Sequence, residues 1–218
     1  MRISKQIFCV AFAFACAALP RASAATITYL VTANTSSVLG QSGYLDLQLE
    51  PGPSPTNLAT AGVTGFATDG ALNGAATLTG DVTGQLPGEV SFDNQTVFND
   101  YFQAGTFGTT ESFDVTLSGP TPLGAGPSAF NIAFYASDGS TPLLTTSADG
   151  NAGQIVINAD GTTTPITYSA SVGVGSVLTI NPVRTTNTAP EPSQLGLLGL
   201  ALIGAFVIVG GRRLGRSV

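Results

Sequence analysis

The segment Tyr44-Leu45-Asp46-Leu47-Gln48-Leu49-Glu50 carries a leucine at every second residue and polar or amphipathic side chains between them. Side chains of a strand alternate between two faces, so this spacing predicts a β-strand with one buried face. Ser112-Phe113-Asp114-Val115-Thr116-Leu117-Ser118 repeats the pattern, with Phe113, Val115 and Leu117 inward. Phe130, Ile132 and Phe134 make a third such face, and Ile27, Tyr29 and Val31 a fourth. Weaker strand candidates run over 63–68, 77–83, 89–93, 143–146, 154–158, 166–169 and 177–180.

Turn chemistry separates these runs. Asp138-Gly139, Asp149-Gly150 and Asp160-Gly161 each lie between two β-prone segments. Glycine accepts positive φ and aspartate bonds its own backbone, so Asp-Gly is a hairpin signal. Three in succession predict an antiparallel meander from Phe130 to about Tyr168. Pro51, Pro53 and Pro55 mark one loop, and the stretch Pro120–Pro127 another, because proline cannot donate to a sheet ladder. No stretch between the two ends sustains apolar residues at helical spacing. The expected fold is all-β: an antiparallel, jelly-roll-like β-sandwich of roughly eight to ten strands over residues 25–180.

The two ends read differently. Arg2 and Lys5, an apolar run from Ile7 to Leu19, and Ala22-Ser23-Ala24 make residues 1–24 a signal peptide, with cleavage expected before Ala25. Phe14, between Ala13 and Cys16, disfavours the lipoprotein alternative. Both cysteines, Cys9 and Cys16, fall inside this segment, so the mature chain is expected to contain no thiol. At the other end, 181–189 reads as a linker. An uncharged apolar stretch over about 195–211 approaches the ~20 residues of a spanning helix. Arg212, Arg213 and Arg216 follow in a basic tail over 212–218, and the positive-inside rule keeps them cytoplasmic and the β-domain outside.

Charge narrows the function. Between Ala25 and Ala189, twelve acidic residues face a single basic one, Arg184, and the chain has no histidine. Nucleic acid and anionic lipid are bound through Lys and Arg, so a nucleic-acid partner is excluded. The Ser-His-Asp triad and the Ser-Lys dyad lack their bases, and Cys/His zinc sites lack their ligands. A carboxylate pair of the glycosidase kind is the remaining catalytic option, from Glu89 with Asp93 or Glu111 with Asp114. Both pairs are expected on the solvent face, and the chain is read as non-enzymatic.

No cofactor is expected, with calcium the one candidate. Asp93, Asn94, Asn99 and Asp100 offer carboxylate and amide oxygens within eight residues, although not at EF-hand spacing. The competing reading makes these residues Asx-type turns. Tyr44, Tyr101, Tyr135 and Tyr168 are candidate rings for a sugar site.

Pro190-Glu191-Pro192, the apolar span Leu195–Val209 and the Arg212-Arg213 cluster resemble, in this order and at this place, the PEP-CTERM sorting signal. The resemblance covers about the last 30 residues, taken here as 190–218. It implies a Gram-negative bacterium, export by signal peptidase and the general secretion machinery, and residence in the inner membrane during sorting. An exosortase is then expected to cut near the motif, leaving the domain at the cell surface or in an extracellular matrix. Exopolysaccharide is the further partner that this context implies. The stretches Glu111–Pro120 and Asp138–Leu144 are also similar to exported, β-rich PEP-CTERM proteins without an assigned activity. The expected function is a structural or adhesive role in an exopolysaccharide matrix. The alternatives are a carbohydrate- or calcium-dependent binding module and, behind it, an acidic glycoside hydrolase.

Overall fold

A computed structural model describes residues 26–52, 58–121, 127–171 and 173–183. The expected signal peptide, the expected 195–211 span and the sorting motif lie outside the described residues. Among the described residues, no helix is long and apolar enough to cross a membrane.

The described chain forms two antiparallel sheets, with strands numbered in chain order. The first sheet runs β14 (Leu178–Val183), β1 (Thr26–Asn34), β9 (Thr110–Thr121), β3 (Leu58–Thr68), β7 (Val90–Asp93), β6 (Val82–Gly84). The second runs β13 (Thr163–Thr167), β12 (Asn151–Ile157), β10 (Ser128–Ala136), β2 (Ser42–Glu50), β8 (Asp100–Thr106), β4 (Ala71–Leu72). Two short strands lie off these paths: β11 (Pro142–Leu143) pairs with β10, and β5 (Thr77–Thr79) pairs with β8. The chain passes repeatedly from one sheet to the other, as in a jelly roll, and β10 to β13 then extend the second sheet as a meander.

The alternation seen in the sequence sets the inner faces. Leu45, Leu47 and Leu49 are buried, as are Phe113, Val115 and Leu117 and the trio Phe130, Ile132 and Phe134. They belong to one continuous core that also holds Tyr29 and Val31. Phe92 of the first sheet meets Phe130 of the second edge-on, with ring centroids 5.5 Å apart, a favourable aromatic geometry that ties the layers together. Gly139, Gly150 and Gly161 take φ of 69°, 80° and 85°, so the three Asp-Gly steps turn the meander as expected. Asp138 accepts from the backbone amides of Ser140 and Thr141, both at 2.9 Å, which closes the first turn.

Four local expectations change. The run 77–83 is two strands in different sheets, β5 and β6, because Gly80 turns the chain with φ of 72°. Leu143–Thr146 is a strand only as far as Leu143, since Leu144 has a φ of 61°. Residues 181–183 are not linker: Asn181, Pro182 and Val183 continue β14 and pair with Leu30, Tyr29 and Thr28. Finally, β8 is a strand that the sequence reading did not assign, and it begins at Asp100, the last residue of the candidate calcium loop. Its inward positions are Tyr101 and Gln103, so a buried amide interrupts the apolar alternation. Gln103 is accommodated by bonds from Tyr101 Oη at 3.0 Å and from Gln85 Nε2 at 2.6 Å.

The crossing from β7 to β8 carries the chain between sheets, and two buried asparagines pin it. Asn94 Oδ1 accepts from the Ala59 amide at 2.8 Å, and Asn94 Nδ2 donates to Ser128 Oγ at 3.1 Å. Asn99 Nδ2 donates to the carbonyls of Leu49 and Thr96, both at 3.0 Å, and its Oδ1 accepts from the Asp81 amide at 2.9 Å. An alanine cannot replace these bonds, and a buried unpaired polar group costs about 1–3 kcal/mol. Asn99→Ala in the full-length chain should therefore lower unfolding free energy by about that amount, read from urea denaturation followed by far-UV circular dichroism.

Candidate functional site

The outer face of the second sheet holds an unusual group of polar residues. Leu45, Leu47 and Leu49 point inward, so Tyr44, Asp46, Gln48 and Glu50 share the opposite face. In register, Gln48 of β2 stands between Asp100 of β8 and Asn131 of β10. Asp46, one step along on that face, stands between Phe102 and Ala133. Asp46 and Asn131 are each 3% exposed although they lie on an outer face. Aromatic rings crowd this face: Tyr44 stacks on Phe102 at 4.3 Å, and Tyr135 lies 6.1 Å from Phe102. A Cβ added at Gly139 would stand in van der Waals contact with the Tyr44 and Phe102 rings, so the turn closes over them without room to spare.

The Asp46 and Asp100 carboxyl groups are close enough for each to act on the other's charge. Two like charges cannot both be held so close in a desolvated site. Burial, then the Asp100 hydrogen bond and charge, push Asp46 up to about 9, against the lowering effect of Gln48. Burial also raises Asp100. As ionised groups, both leave an Oδ1 buried without a donor, as does Asn131. A proton shared between Asp46 and Asp100 would supply these two carboxyl oxygens. Gln48 Nε2 holds the other Asp46 oxygen at 2.8 Å. The Asn131 oxygen is left unserved. Burial, followed by the charges of Asp46 and Asp100, raises the Tyr135 phenol.

The four calcium candidates from the sequence are not brought together. Asp93 belongs to the first sheet and Asp100 to the second. Asp93 accepts from the Gln95 amide and side chain at 3.2 and 2.7 Å, an Asx-type turn. Asn94 and Asn99 spend their amide oxygens on the backbone bonds described above. Among the described residues, no three His, Cys, Asp or Glu side chains group as a metal centre. Sequence reasoning missed Asp46 because it occupies an outward position in a clean alternation. The rings at 44, 102 and 135 that bury it come from three different strands.

Of the carboxylate pairs, Glu111 and Asp114 lie on opposite faces of β9. Glu111 shares parity with Phe113 and so points inward, where it is 5% exposed; the expected solvent position is corrected for this residue. Burial and then the charge of Asp69 push it up to about 7, and its Oε2 has no partner. Glu89 and Asp93 share the outer face of the first sheet. They line a groove of 760 Å³ with Asp81, Thr60, Thr64, Thr116 and Ser118. Of the tyrosines, Tyr101 is fully buried, and its Oη accepts from the Leu86 amide at 2.9 Å, which removes it from any surface role. Tyr168 is half-buried at the end of the meander.

The Glu111 carboxyl group is raised from 4.5 to about 7 on folding, so the unfolded chain loses this proton first. Its contribution to stability is complete below about 4.5 and disappears as pH rises through 7. Between pH 5 and 8 the thermal midpoint of the full-length chain, measured in chelator, should fall. Glu111→Gln should remove a share of that slope on the order of 2–3 kcal/mol. At the outer-face pair, Asp46→Asn keeps a donor for Asp100 and should be tolerated. Asp46→Ala should cost about 1–3 kcal/mol, because it strands the Asp100 oxygen. Urea denaturation at pH 7 checks both.

No curated protein and no solved structure matches the chain. Its C-terminal region does find a family: residues 188–213 match the PEP-CTERM protein-sorting motif. They include the Pro190-Glu191-Pro192 triplet and the Arg212-Arg213 cluster read from the sequence, so this is a protein that carries a PEP-CTERM sorting domain.

Proposed function

We propose that the β-sandwich is an exported surface domain without catalytic activity, a structural or adhesive element of an exopolysaccharide matrix in a Gram-negative bacterium. The sorting motif at 188–213, which implies processing by exosortase, is the observation that carries this reading. In it, signal peptidase cleaves before Ala25, and the 195–211 span holds the chain in the inner membrane with its arginines inside. Exosortase then cuts near Pro192. The chemistry is consistent with the route: two prolines keep the recognition peptide extended for a protease cleft. Mass spectrometry of the wild-type protein from the producing cell should show a C-terminus near residue 192. Replacing Pro190-Glu191-Pro192 with alanines should leave uncut chain in the membrane fraction. Recovery of wild-type protein still carrying Leu195–Val218 would contradict exosortase processing.

A second reading, carbohydrate binding, draws on the groove of the first sheet. Its wall of Asp81, Glu89 and Asp93 and its Thr and Ser hydroxyls suit the hydroxyls of a sugar chain. Under it, the purified protein binds the producer's own polysaccharide saturably. Asp81→Ala with Glu89→Ala should weaken that binding at least tenfold in calorimetry, without changing the thermal midpoint.

A further inference from the structure

The outer-face cluster on the second sheet has oxygens to spare and no cation to meet them. We propose that Asp46, Asp100 and Asn131 form a calcium site. Three adjacent strands, β8, β2 and β10, present these residues on one face in fixed register. Each has a buried Oδ1 without a hydrogen-bond partner. The acidic pair alone would be satisfied by a proton. Asn131 is the independent observation: it is 3% exposed, its amide oxygen has no donor, and the shared proton does not reach it.

A divalent cation accounts for all three oxygens at once. It replaces the proton between the two carboxylates and takes the amide oxygen as a third ligand. The charge must come from outside the fold, because residues 26–183 contain no Lys, Arg or His. Glu50, whose charge also acts on Asp46, strengthens the local field. Gln48 has the supporting role: its bond to Asp46 Oδ2 fixes the carboxylate orientation, as outer-shell donors do in metal sites. The ligand set is all oxygen, mixed carboxylate and amide, on strands that do not impose an octahedron. Calcium accepts this arrangement and fills its remaining positions with water, whereas magnesium demands near-octahedral geometry and dehydrates reluctantly. Three protein ligands place the affinity in the roughly 0.1–1 mM range of extracellular modules. This site is independent of the sorting route and of the first-sheet groove.

The test uses the full-length chain in non-ionic detergent at pH 7.5, with terbium chloride and calcium chloride as probes. Tyr44 and Tyr135 flank the site and sensitise terbium emission. Saturable emission displaced by calcium, and a rise of about 5 °C in thermal midpoint at 10 mM calcium, are expected. Asp46→Asn with Asp100→Asn should abolish both, and Asp93→Asn should change neither. Asn131→Asp, which adds a third carboxylate and does not depend on the double variant folding, should tighten calcium at least fivefold. No saturable emission from folded wild-type protein overturns the site. So does emission kept in the double variant, or an affinity unmoved by Asn131→Asp. Displacement by magnesium as readily as by calcium overturns the assignment of the ion.

Discussion

Twelve carboxylates and no cationic side chain occupy residues 26–183, and the partners of the acids in the sandwich follow from that imbalance. A salt bridge within this stretch is impossible, so each acid must be met by a hydroxyl, a backbone or side-chain amide, water, a proton or an external ion. At the surface the first two suffice. Asp69 takes the amides of Thr109 and Thr110 at 2.8 and 3.0 Å and the Thr109 hydroxyl at 2.6 Å. Asp160 takes the amide and hydroxyl of Thr162 at 2.9 and 2.7 Å. These bonds stabilise the ionised form, and Asp69, Asp138 and Asp160 are all lowered by them. Threonine hydroxyls and amides thus supply the donors that Lys and Arg would otherwise provide. At Asp46, Asp100 and Glu111 one carboxyl oxygen is left buried without a donor, and its neutralisation must come as a proton or a metal.

The sheets were legible because their code is local. Period-2 alternation fixes which side of a strand is apolar, and Asp-Gly fixes where it reverses; β2, β9, β10 and the meander carry both signals in a few residues. The code failed where tertiary contacts supply what sequence lacks. Gln103 sits inward on β8 because Tyr101 and Gln85, from elsewhere in the chain, satisfy its amide. Glu111 was misplaced for a simpler reason: counted by twos from Phe113, position 111 falls on the inner face. At the end of the sandwich that face still excludes most solvent.

The outer-face cluster was not legible at all. Asp46 and Asp100 are 54 residues apart in the chain, and only the β2–β8 register brings them together. Burial on that side needs the rings of Tyr44, Phe102 and Tyr135, contributed by β2, β8 and β10. The sequence did single out Asp100, as part of an apparent oxygen-rich loop with Asp93, Asn94 and Asn99. The Asx-turn alternative holds for Asp93, whereas the two asparagines are structural pins that bond backbone far away in the chain. Asp100 instead faces a residue that had looked like ordinary solvent-side polarity.

The acidic sandwich and the C-terminal sorting segment make opposite physical demands. A domain with about eleven net negative charges is repelled by anionic headgroups and has no basic patch to hold it at a bilayer. In the proposed route attachment comes instead from the apolar span and its arginines, which a processing enzyme can remove in one step. The proposed calcium site fits the same order of events. An affinity near that of extracellular modules leaves the site to its proton where calcium is scarce, as in the cytoplasm, and fills it where calcium is abundant. The sandwich would then carry its metal only where calcium is abundant.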